Sequence, residues 1–139
     1  MASLIYNKGK TEILNGGIDL LNDDIYVALV TSSYTPDKDS DDYFGDVDNE
    51  VSGAGYVAKA LANKSITQDD ANDRAKFDAD DAIWTTATFT ARAAIIYKHT
   101  GAAATSTLIA YVDFGEDYSA TAEDFTIEWD SDGILYLGD

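Results

Sequence analysis

Residues 124–137 read DFTIEWDSDGILYL, and within them Phe125, Ile127 and Trp129 alternate with Thr126, Glu128 and Asp130 until Ser131, Asp132 and Gly133 break the pattern. Successive side chains of a strand point to opposite faces, so a period of two gives the three apolar residues one inward face and the three polar ones an outward face. Gly tolerates positive φ, while Ser and Asp bond their own backbone, so the interruption predicts a hairpin turn into a second strand at 134–137. Upstream, AAIIYK at 93–98, a turn at His99, Thr100 and Gly101, and STLIAYVDF at 106–114 predict an antiparallel hairpin with a longer loop.

The first half follows the same logic. Ile25, Val27 and Leu29 alternate with Tyr26, Ala28 and Val30, predicting a well-buried strand. Ile18 and Leu20 predict a short extended piece that pairs with it through an Asn22-Asp23 turn. Residues 55–61 and 76–79 predict further strands, 64–73 a polar connection, and 78–84 a turn that drops Trp84 into the core. Before all of these, residues 3–15 predict the one helix. Ser3 is its candidate cap, Leu4, Ile5, Ile13 and Leu14 are its apolar contacts, and Asn15-Gly16-Gly17 is its stop, with Gly9 a weakening residue inside. Seven or eight short strands plus a short N-terminal helix predict an all-β sandwich, Ig-like or jelly-roll-like, forming a single domain over residues 1–139.

Composition narrows the function classes. Nine Lys and Arg against 26 Asp and Glu give a formal charge of −17, and the bases are scattered, so phosphate backbones and anionic membranes are repelled. The expectation is therefore no nucleic acid and no membrane as partner. The absence of Cys excludes a disulfide framework, a thiolate zinc site and a thiol nucleophile. No stretch reaches the roughly 18 apolar residues of a spanning helix, and the start MASLIYNKGK has neither the basic opening nor the apolar core of a signal peptide, so synthesis in the cytoplasm is expected.

The reactive side chains form no catalytic pattern in the sequence, and the chain is expected not to be an enzyme. The single histidine, His99, sits in a hairpin turn where a solvated role is the better reading. Gly53-Ala54-Gly55 lacks the third glycine and the following helix of a phosphate loop. Asp37, Asp39 and Asp41 have the alternation of a calcium loop with Asp48 at the twelfth position, yet the sixth is Asp42 instead of Gly and the twelfth is not Glu. These four are the candidate calcium ligands; a solvated acidic loop over about 35–52, with a helical turn near Tyr43 and Phe44, is the reading preferred, and no cofactor is expected. Of the aromatics, Tyr26, Tyr56, Tyr97, Tyr111 and Tyr136 fall in predicted strands as sheet fillers, whereas Tyr34, Tyr43, Phe44 and Tyr118 fall in loops and are the interface candidates. Trp84 discriminates further: exposed, it would favour a sugar-binding module or adhesin; buried, it belongs to the core.

The strings FDADDAIWTTATFTARAAIIYKHTG, LIAYVDFG and DFTIEWDSDGILYL, together with the opening NGGIDLLNDDIYVALV, resemble a family of small virion structural proteins of tailed bacteriophages. The resemblance spans nearly the whole chain and carries no catalytic residue. It implies a capsid decoration, or cement, protein on the outer surface of the head shell, with a phage tail or fibre component as the alternative. The implied partners are the major capsid protein and copies of the chain itself, most often as a trimer at local threefold positions, with monomers or hexamer-centred copies as the alternatives. The candidate contact elements on this chain are the helix at 3–15 and the acidic loop at 37–50.

Overall fold

The structure is a computed structural model that describes residues 2–139. It is all-β with one short helix: β1 (Leu4–Ile5), α1 (Asn7–Leu14), β2 (Ile25–Val30), β3 (Lys59–Ala60), β4 (Ser65–Asp69), β5 (Arg74–Asp78), β6 (Ala82–Lys98), β7 (Leu108–Ile127) and β8 (Leu135–Gly138). An antiparallel sheet in the order β1-β7-β6-β2-β3 faces a smaller antiparallel sheet in the order β4-β5-β8. No helix among the described residues is long and apolar enough to cross a membrane.

The centre of the large sheet is β2, β6 and β7, and its alternation sorts side chains into two cores. Val27, Leu29, Ala94, Ile96, Ala110 and Val112 join Phe77 and Leu135 of the small sheet, and Ile134 just before β8, in the larger core. Ala28, Val30, Ala93, Ile95 and Tyr97 turn to the opposite face, where Tyr6, Tyr34, Phe44 and Val47 cover them. A strand buried on both faces reads as a continuous apolar run, which is why IYVALV and AAIIY contain so few polar residues.

The inward placement of Phe125, Ile127 and Trp129 holds, as does the burial of Trp84. Several boundaries differ. The strands β6 and β7 have 17 and 20 residues and continue well beyond the segments 93–98 and 106–114, so two of the eight strands are long rather than short. Bulges hid this continuity. Ala93 faces Asp113 while Ala91 faces Tyr118, so β7 loops out in between, where Gly115 has φ 86°. A second irregularity lies nearer the far end, where Thr86 and Ala122 both take positive φ. The turn at 131–133 does form, with Gly133 donating to the Asp130 carbonyl, but β8 leaves β7 and pairs with β5, so the turn joins two sheets and does not close a hairpin. Gly133 is required there: its φ is 83° and a Cβ would meet the Phe77 carbonyl at 2.7 Å.

The helix is shorter than residues 3–15. Leu4 and Ile5 pair with Tyr111 and Ala110 of β7, and the Ser3 hydroxyl accepts the Asp113 N–H, so these residues serve the sheet edge and the helix begins after Tyr6. Ile18 and Leu20 are buried but form no strand, because Asp19 Oδ1 accepts the Leu21 and Asn22 N–H groups and curls the backbone into a turn. Of residues 55–61 only Lys59 and Ala60 pair, with Val27 and Tyr26. Conversely, the polar connection at 64–73 contains β4, which pairs with β5 through a short 3₁₀ turn at Asp70–Asn72. β4 is an edge strand whose residues are mostly exposed, so no hydrophobic alternation marks it.

Candidate functional site

Residues 31–50 cross the second face of the large sheet, and its chemistry is that of a cover. The hydroxyls of Tyr6 and Tyr34 are 2.8 Å apart, and Tyr34 donates to Asp41 Oδ2 at 2.8 Å. Burial, before any other cause, raises the pKa of both tyrosines, so both stay protonated well into the alkaline range. Beside them the Phe44 ring stacks on Tyr97 with centroids 4.3 Å apart and planes 9° from parallel. Burial pushes the Tyr97 hydroxyl up to about 12. At the loop's exit Tyr56 donates to Glu50 Oε2 and accepts the Leu29 N–H at 3.1 Å.

The four aromatic interface candidates therefore separate. Tyr34 is buried, and Phe44 is half-buried against Tyr97. Tyr43 is half-buried, with the Lys8 ammonium 5.9 Å from its ring centre. Only Tyr118 is largely exposed, and it sits in β7, not in a loop. The sequence reading placed Tyr118 in a loop because the bulge before it interrupts the alternation.

The candidate calcium ligands are engaged by protein donors. Asp37 Oδ1 accepts the Asp39 and Ser40 N–H groups, Asp39 Oδ1 accepts the Asn7 side-chain amide, Asp41 Oδ2 accepts Tyr34 and the Asp37 N–H, and Asp48 Oδ1 accepts the Asn49 amide. The alternation is thus used for turns that shape the loop. Among the described residues no group of three or more His, Asp or Glu side chains comes together in an arrangement that could hold a metal ion. His99 lies flat on Tyr26, ring centres 4.0 Å apart, and its backbone N–H donates to the Asp24 carbonyl. Both indoles are internal: Trp84 Nε1 donates to the Val57 carbonyl at 2.8 Å and Trp129 Nε1 to the Asp80 carbonyl at 3.0 Å. Neither can supply the exposed platform of a sugar-binding module.

Two grooves with apolar walls lie on the surface of this acidic molecule. One lies between α1 and β8, a groove of about 180 Å³ lined by Ile5, Lys10, Ile13, Leu14, Leu135 and Leu137. Leu14 is 83% exposed and Leu137 53%. The other is a groove of about 520 Å³ along the outer side of β7, lined by Phe114, Tyr118, Ser119 and residues 124–128. The exposure of Leu137 and the half-burial of Phe114 depend on which strand lies beside β8 and β7, a tertiary fact that alternation does not encode. Comparison of the chain with known protein families, with curated proteins and with solved structures finds no match.

Proposed function

We propose that the chain is a non-enzymatic structural protein of a tailed-bacteriophage virion, a cement protein that docks on the outer surface of the head shell and associates there with copies of itself as a trimer. The observation that supports this reading is the exposed apolar surface formed by Leu14 and Leu137 around the α1–β8 groove. An exposed leucine cluster on a chain of net charge −17 is an adhesive spot on an otherwise self-repelling molecule. The charge keeps many copies apart before assembly and away from packaged DNA, while repeated moderate contacts on a symmetric shell supply adhesion by multivalency. Of the two candidate contact elements, the helix offers this surface. The acidic loop turns its aromatics inward and presents carboxylates to solvent.

The test is to mix purified protein with undecorated capsids and count bound copies by electron microscopy. Stoichiometric density at equivalent positions on the shell is the expected result. A bare shell at saturating protein overturns the reading, and density confined to tails moves the protein to the tail.

A further inference from the structure

The outer edge of β7 is the longest unpaired strand edge in the described residues. On one side β7 pairs with β6 as far as Ile127, but on the other β1 covers only Ala110 and Tyr111. The Ser3 hydroxyl takes the Asp113 N–H, and beyond that point no strand lies beside β7. An edge strand presents alternate N–H and C=O groups to whatever approaches, and natural folds usually blunt such an edge or use it. Here the groove of about 520 Å³ runs beside it. The half-buried Phe114 and the edges of the inward-facing Phe125 and Ile127 provide the apolar wall, with the Phe114 ring edge-on to Tyr118 at 6.2 Å. The acids Asp124 and Glu128 belong to the lining, and Glu116 and Asp117 lie in the bulge that opens it. No base lines the groove; the nearby Arg92 is held by Asp113 at 2.9 Å.

We propose that this edge is a β-augmentation site for an extended segment of a partner protein that alternates basic and apolar residues. The backbone edge supplies the pairing, the aromatic walls take the apolar side chains, and the carboxylates take the bases. A second copy of this chain is the wrong occupant. Antiparallel self-pairing of β7 would bring the acids of 116–128 against the same acids, and like charges directly opposed destabilise a strand pair. The groove-lining run 124–128 corresponds to a strand of about 16 Å, enough for roughly five residues of partner. The inference stands apart from the capsid reading, because it specifies the chemistry of the ligand and not the particle that carries it.

The probe is a synthetic peptide of about seven residues alternating lysine and valine, titrated into the full chain and followed by amide chemical shifts and calorimetry. Two further peptides carry N-methyl groups on alternate residues, one set on each edge. Expected are shifts confined to residues around the β7 groove, and binding by one methylated peptide with loss of roughly tenfold or more by the other, because only one edge of the ligand faces β7. The double variant Asp124→Lys/Glu128→Lys should lose binding by a similar factor, while Asp48→Lys/Asp70→Lys, equal in charge change, should retain it. Equal binding of both methylated peptides, equal loss in both double variants, shifts centred elsewhere, or no binding overturns the proposal. So does dimerisation of the free chain through β7.

Discussion

The hydroxyl of Tyr6, immediately before α1, lies 2.8 Å from the hydroxyl of Tyr34, in the loop that covers the second sheet face. Since Tyr34 donates to Asp41, Tyr6 donates to Tyr34, and this chain of hydrogen bonds, beside the Asn7 bonds to Lys38 and Asp39, ties the N-terminal segment to the acidic loop over the second core. Tyr6 is wholly buried, so a lost partner cannot be replaced by bulk water. Tyr34→Phe removes the acceptor of Tyr6 and the donor to Asp41 together, and should cost about 1–3 kcal/mol. Asp41→Asn keeps an acceptor oxygen and should cost less. Thermal unfolding of both variants checks the order; an unchanged midpoint for Tyr34→Phe would show that packing and the Asn7 bonds to Lys38 and Asp39 hold the loop without the tyrosine pair.

Alkaline pH should act through the same residues. The pKa values of Tyr6, Tyr34, Tyr56 and Tyr97 are raised, in each case first by burial, with Tyr97 near 12. A group with a raised folded-state pKa binds its proton more tightly when folded. Its stabilisation is complete below the unfolded value of about 10 and is lost as pH climbs toward the folded one. The phenolate absorbance of these four tyrosines should therefore appear together with the loss of circular dichroism, as one cooperative step. Ionisation of all nine tyrosines while the circular dichroism is unchanged would contradict it.

The all-β class, the inward face of Phe125, Ile127 and Trp129, and the burial of Trp84 were legible because each rests on local alternation or on the volume of an indole. Other features were not, and three of them show why. The continuity of β7 was hidden by the bulge at Gly115, which resets the period between Asp113 and Tyr118. The strand β4 was hidden because an edge exposed on both sides needs no apolar face. The loop tyrosines were misplaced because Tyr34 looks polar and local in sequence, whereas its burial is created by Tyr6 and by β-strand neighbours far along the chain.

Gly9 is a helix residue that propensity alone would replace by Ala with a gain of about 1 kcal/mol. The packing reverses the sign. A Cβ there would lie 2.5 Å from the Leu108 carbonyl oxygen and 2.9 Å from Ile109 Cα, both backbone atoms of β7 that cannot step aside. Gly9→Ala should be destabilising overall by roughly 1–3 kcal/mol, as expected for overpacking. A higher melting temperature would mean that α1 does not sit this close to the sheet.

Arg74 joins the β4–β5 pair to the turn before β8, bonding Asp69 at 2.8 Å and Asp132 at 2.7 Å while lying over the Tyr136 ring. The guanidinium holds both carboxyls below the ordinary Asp range. For a depressed acid the stabilisation is present above the unfolded value of about 4 and disappears as pH falls through the folded one. Arg74→Gln should therefore move the acid-unfolding midpoint to higher pH and leave the alkaline step in place. A midpoint that does not move would mean that the two ion pairs are fully screened by solvent.

Leu14 and Leu137 separate docking from folding. Both are exposed, so Leu14→Ser/Leu137→Ser removes little native contact and should change stability by no more than about 0.5 kcal/mol per site. If the α1–β8 surface is what meets the shell, each leucine becomes buried on binding. Full burial of such a side chain is worth about 1.5–3 kcal/mol, so the pair should lower occupancy by roughly tenfold or more at limiting protein. Ile66→Ser is the matched control: this side chain is 49% exposed on β4, in the small sheet's outer strand, and should leave occupancy unchanged. Equal occupancy of the double variant and the native chain, with both folded, would place the contact elsewhere. An equal fall for Ile66→Ser would show that general surface hydrophobicity, and not this groove, drives attachment.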